Sequence, residues 1–144
     1  MVRYVIALIL GLATPLLGAH LAGGRALLLL NATAFLIVCA FPFLMVSAVF
    51  GFGEMRRAFE AALKGGAEKV ELERALAFFG TLGKSAWLAA LIGFIVGIVN
   101  ILASLGDLSA LGPSAAVLLL APLYAAIVGL VVVVPFSLMI RKRL

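Results

Sequence analysis

The sequence is poor in charge. Of its 144 residues only 12% are Asp, Glu, Lys or Arg, where a soluble domain carries about a quarter. It has one cysteine, Cys39, inside an apolar run, so a disulfide framework is excluded and Cys39 reads as a small buried or lipid-facing residue. It has one histidine, His20, and no Cys/His or Glu/His cluster with metal-ligand spacing. No glycine-rich loop follows a strand pattern. No pair of carboxylates falls inside an apolar segment: the glutamates lie between positions 54 and 73, and Asp107 stands in a turn. These gaps leave no catalytic, cofactor-binding or metal residue to name. The expectation is a chain that is not an enzyme and holds no cofactor.

What is present is hydrocarbon. The chain is 66% hydrophobic, with a mean hydropathy of +1.32, which places it in the membrane class and in contact with a lipid bilayer. A net charge of +5 would suit nucleic acid, but the positive residues sit at segment ends and in one connector. That is the positive-inside pattern of a membrane protein, so no nucleic-acid partner is expected.

The expected fold is an all-α membrane protein with four transmembrane helices, arranged as two hairpins joined by a short helical cytoplasmic connector. The chain reads as a single membrane domain over residues 1–144. The spans fall at about 2–22, 26–52, 85–105 and 114–140, each near or above the 20 residues that cross a bilayer. The connector covers about 53–84. The second hairpin, with its turn at 106–113 and its tail Arg141-Lys142-Arg143, is the clearest part.

The first segment carries Ala7, Gly11, Pro15, Gly18 and Ala22 at helical spacing, a stripe that permits close helix approach. A signal peptide ending near Leu17-Gly18-Ala19 is the alternative, but the apolar core is long for one and a second segment follows at once. Pro15 and Pro42 predict kinks. Asn31 and Thr33, at the start of the second segment, are expected to bond to nearby backbone or headgroups.

In the connector, residues 54–64 place Met55, Phe59, Ala62 and Leu63 on one face of an amphipathic helix. Residues 67–79 do the same with Val70, Leu72, Ala75, Leu76 and Phe79, and Gly65-Gly66 separates the two. Pairs such as Glu60–Lys64 fit a solvated helix surface. The connector and Lys84 contain six Lys or Arg and the tail three, against Arg25 alone in the first turn and none in the last. Connector and C-terminus are therefore expected in the cytoplasm, and with four spans the N-terminus joins them.

In the third span Gly93, Gly97, Asn100 and Ser104 share one side of a helix, and Ala121, Ala125 and Gly129 do so in the fourth. Such a stripe either packs helices together or lines a pore shared between subunits. An ion path normally needs a polar or ionisable group within the membrane. This chain offers almost none, so a conducting assembly would take its titratable group from another protein.

Several short motifs, in this order, complete the pattern. They are Arg56-Arg57-Ala58-Phe59-Glu60-Ala61-Ala62-Leu63, Gly93-Phe94-Ile95-Val96-Gly97, Leu111-Gly112-Pro113-Ser114-Ala115-Ala116-Val117, Leu123-Tyr124-Ala125, and Pro135-Phe136-Ser137-Leu138 before the basic tail. Their order and spacing resemble the MotA/TolQ/ExbB proton-channel family over about residues 54–144, most closely the MotA branch. The resemblance implies a homo-pentamer in the bacterial cytoplasmic (inner) membrane around a dimer of a single-span partner like MotB or ExbD. That partner supplies the ion-carrying aspartate, and ion flow (proton or sodium) turns the pentamer as a rotary motor. The third and fourth spans would line the centre, with Phe94, Gly97, Asn100, Ala121, Pro122, Tyr124 and Ala125 as the channel- or partner-lining residues. The first and second spans would form the outer ring.

The resemblance also implies departures. Phe94 stands where the family has a threonine, and Ala121 and Pro122 stand at its last-span threonines. The hydroxyls that would receive a dehydrating ion are missing, which leaves Asn100 and Tyr124 as polar substitutes or a path lined by the partner. The connector is much shorter than in flagellar MotA. Two alternatives follow: a non-conducting pentameric scaffold of the same family, and an unrelated small four-span membrane carrier.

Overall fold

The structure is a computed structural model and describes residues 2–21, 23 and 29–144, with part of the side chains of the first helix. Every regular element among these residues is helical. Helix α1 covers Val2–Leu21 and runs through Pro15 without interruption. At Gly11 and Gly18 nothing of the chain lies within 4 Å of where a Cβ would stand, so two members of the small-residue stripe carry no packing inside one chain. Its last member, Ala22, lies outside the described residues, as do the first turn apart from Gly23 and the start of the second segment at residue 26.

Helices α2 (Ala32–Phe35) and α3 (Phe41–Phe50) form one apolar rod, joined by a π-helical turn over Leu36–Ala40. The turn has a local cause. Pro42 has no N–H, and its ring crowds the carbonyl four residues back. The ladder widens just before it, and Phe41 N–H reaches the Leu36 carbonyl instead. The last helix repeats the device. Helix α6 (Leu108–Val128) widens into a π turn over Gly129–Val133, Val134 N–H bonds to the Gly129 carbonyl, and α7 (Val134–Arg141) follows with Pro135 in its first turn.

Gly51 ends α3 with φ +83, a backbone state that L side chains rarely adopt, and turns the chain into amphipathic α4 (Phe52–Leu63). The connector does not stay separate from the third apolar segment. Helix α5 spans Lys69–Ala103, 35 residues and about 52 Å long, straight through Gly80 and Gly83. It starts with a capping box between Glu68 and Glu71. The turn before α6 is also tighter than the sequence suggested, at residues 104–107 rather than 106–113. Asp107 caps α6 by accepting from Ser109 N–H at 2.9 Å, and this starts the helix ahead of Pro113.

Three of these helical stretches are long and apolar enough to cross a membrane: Ala32–Phe50, Lys69–Ala103 and Leu108–Arg141. Helices α5 and α6 form the most extensive pairing in the molecule. At one end of α5, α4 and α7 close an aromatic core. The Phe59 ring lies 5.1 Å from those of both Phe79 and Phe136, and Phe50 meets Phe78 at 5.5 Å. Leu72, Ala75 and Phe79 are buried there as the pattern predicts, and Leu76 is half-buried. Val70 points outward, and Phe78 takes a place in the core that the periodicity missed. Edge-to-face rings of this kind add to the hydrophobic term.

Candidate channel-forming helix pair

The α5–α6 pair is set by glycine. A Cβ on Gly97 would fall 2.5 Å from Leu118 Cβ and 2.7 Å from its Cα, and one on Gly93 would fall 2.8 Å from Ala121 Cβ. A Cβ on Gly83 would meet Val133 at 3.1 Å. The three contacts run in opposite directions along the two helices, so the pair is antiparallel over its length. Only the missing side chains let the backbones come this close, which in lipid is a main source of helix association.

This geometry sorts the residues that the sequence singled out. Gly97, Ala121 and Ala125 are buried within the chain, the last two with Ala90 and Val38 in a small core that joins α5, α6 and the second apolar rod. Phe94, 39% exposed, points away from that core, and Asn100 is exposed nearer the end of α5. Pro122 is half-buried and has no N–H to give the Leu118 carbonyl one turn back. The structure thus brings Gly97, Ala121 and Ala125 together and leaves Phe94 and Asn100 on outer faces.

Tyr124 makes a contact that no sequence signal announced. Its hydroxyl donates to the Leu29 carbonyl and accepts from Asn31 N–H at 2.9 Å. The Asn31 side chain in turn caps α2 by accepting from Ala34 N–H at 3.0 Å. The backbone just before α2 is not regular α-helix, so its polar groups need partners from elsewhere in the fold. Tyr124 supplies them and ties α6 to the start of the second rod.

Charge stays at the ends. Glu60 is held below the usual carboxylate range, first by its hydrogen bond with Arg56 and then by the Lys64 ammonium. Asp107 is likewise held low, first by the Ser109 hydroxyl at 2.6 Å and then by the Ser109 N–H. Arg143 in the tail donates to the carbonyls of Ala61 and Lys64 at the end of α4. Tail and connector therefore lie at the same end of the bundle, opposite the turn at 104–107. Among the described residues no three His, Cys, Asp or Glu side chains converge.

The stretch from α4 to the C-terminus is also what known proteins share. Residues 52–144 match the MotA/TolQ/ExbB proton channel family. The chain belongs to that family. The match begins where α4 begins and takes in the aromatic core, the glycine-set pair and the basic tail. No curated protein matches the chain. As a MotA/TolQ/ExbB member with three apolar helices of spanning length, it is a multi-pass membrane protein. Its place in the family leaves no room for an unrelated four-span carrier.

Proposed function

We propose that the chain is a MotA-like subunit of an ion-driven rotary motor in the bacterial inner membrane. Five copies surround a dimer of a single-span partner like MotB or ExbD, and the partner brings the aspartate that carries the proton or sodium ion. The chain itself makes and breaks no bonds. One observation carries this reading. A member of a proton channel family has no acidic residue from position 74 to 106 or from 108 to 144. Ion paths through lipid rely on such groups, so a second protein has to supply one. The exposed side of α5 that includes Trp87, Leu91, Phe94 and Ile98 is free in a single chain and is available to neighbouring helices. The contact of Arg143 with α4 supports tail and connector on one side, and their nine Lys and Arg make that side cytoplasmic. With α1 as a fourth span, the N-terminus is cytoplasmic too.

Native mass spectrometry of the detergent complex, expressed together with its genomic neighbours, tests the reading. Five copies with two of a single-span protein are expected, and a monomer or dimer would overturn it. A second reading rests on Phe94, Ala121 and Pro122, apolar residues at the family's threonine positions: a pentameric scaffold that conducts nothing. Proton and sodium flux into liposomes holding the whole complex separates the two. Flux abolished by replacing the partner's aspartate supports the motor, and a sealed complex supports the scaffold.

A further inference from the structure

Between the second apolar rod and the last helix lies a crevice of about 300 Å³. Its floor is Leu82 and Ala86 of α5. Cys39 and Ala40 of one π turn form one wall, and Val128 and Val132, at the other π turn, form the opposite wall. Phe59 of α4 also lines it. π turns recur at functional sites because they re-aim side chains and open a helix face. Here two of them border one void.

We propose that this crevice holds one acyl chain of a phospholipid from the leaflet on the α4 side, with the lipid phosphate on Arg56. The proposal rests on membrane residence alone and not on ion flow. Every lining side chain is apolar apart from the Cys39 thiol. Water needs two to four polar partners in a cavity, so the crevice is dry, and even a 150 Å³ apolar void takes up a small hydrocarbon. The wall from Phe35 to Phe43 is about 12 Å long at 1.5 Å per residue, and a helix segment of that length would need on the order of 1,000 Å³. A helix from a neighbouring subunit is 10–12 Å across and too wide to enter; a single hydrocarbon chain is not.

Charge lies beside the α4 residue that lines the crevice. Arg56 stands one helical turn before Phe59, on the same side of α4. Its exposed guanidinium is engaged by Glu60 at 3.2 Å, a weak surface pair that a phosphate can replace with a bidentate one. Arg57 and Lys64 are paired with Glu54 and Glu60, and the positive surplus at this end comes from the tail Arg141-Lys142-Arg143, whose last arginine contacts α4, as basic residues next to a span do for anionic headgroups.

The test reconstitutes the full chain in vesicles of dioleoylphosphatidylcholine, with or without dioleoylphosphatidylglycerol, containing a phospholipid with a diazirine on its acyl chain. Peptide mapping after irradiation locates the adducts. Adducts are expected on Cys39, Val128 and Val132 well above those on Leu44 and Val49, apolar residues exposed on the same second rod but outside the crevice. Val128→Phe and Ala40→Phe, which fill the crevice from opposite walls, should each remove that excess; two variants guard against one that misfolds. Arg56→Gln should cut the preference for phosphatidylglycerol by about fivefold, the worth of one basic residue near a surface. Adducts spread evenly over all apolar faces, or Cys39 joined to a second copy by a short bismaleimide in place of lipid adducts, would overturn the proposal.

Discussion

Arg143 donates to the carbonyl of Ala61 across a separation of 2.8 Å, and the same nitrogen reaches the carbonyl of Lys64 at 2.6 Å. A helix leaves its last carbonyls without partners and carries partial negative charge at that end. The tail thus satisfies α4 with a cation. Arg143→Ala should destabilise the α4 end by about 1 kcal/mol, toward the low side because the group is exposed. Hydrogen exchange at Lys64 and Gly65 should rise, with the α5–α6 pair unchanged. Arg143→Lys should recover part of the loss, since an ammonium also carries several donors on one nitrogen but is more strongly hydrated than a guanidinium and sits on a shorter side chain.

Gly97→Ala should be among the most damaging small changes in the chain. The new methyl meets Leu118 backbone as well as side chain, so no rotamer relieves it, and a cost of about 2 kcal/mol or more is expected. Gly112, in the same pair but with nothing within 4 Å, is the control: Gly112→Ala should be neutral or stabilising by about 0.5 kcal/mol through helix propensity. Thermal unfolding in detergent reads both. Equal effects would mean that the close approach does not hold the pair.

Tyr124→Phe keeps the ring and removes only the hydroxyl. The Leu29 carbonyl and Asn31 N–H then lose their partner, at an expected cost of about 1–2 kcal/mol. Faster exchange of the Asn31 amide should accompany it. An unchanged amide would show that water replaces the hydroxyl there.

Asp107 links stability to acid. Its folded pKa lies below the ordinary value, chiefly because of the Ser109 hydroxyl, so its contribution is complete above the unfolded value near 3.9 and disappears as pH falls through the lower folded value. The α6 cap should therefore loosen only below about pH 4. Ser109→Ala should move the Asp107 titration, followed by carboxyl NMR, upward toward the ordinary value. Asp107→Asn should hold the cap and remove the acid dependence.

Much of this architecture was legible in the residues. Apolar length marked the spanning stretches, and the spacing of Met55, Phe59 and Leu63 marked α4 and the face it turns to the core. The stripe Gly93–Gly97 marked a helix face but not its neighbour: period alone cannot tell a contact within one chain from one between chains, and Leu118 and Ala121 decide it. The continuity of α5 through Gly80 and Gly83 was hidden because two glycines beside a change from polar to apolar composition look like a boundary. In the fold, Gly83 instead makes room for Val133. Asp107 looked like a lone turn charge, although an aspartate just before an apolar run is an N-cap signal. The bridge from Tyr124 to residues 29–31 had no local signature, since its ends lie more than ninety positions apart.

The two π turns and the unbroken α5 differ mechanically. Each outer rod has a soft joint where a proline has taken out part of the ladder, while α5 has no proline and no wide turn from Lys69 to Ala103. The unbroken ladder makes α5 the stiffest of the three stretches, while the two beside it lack part of their i to i−4 bonding at Leu36–Ala40 and Gly129–Val133.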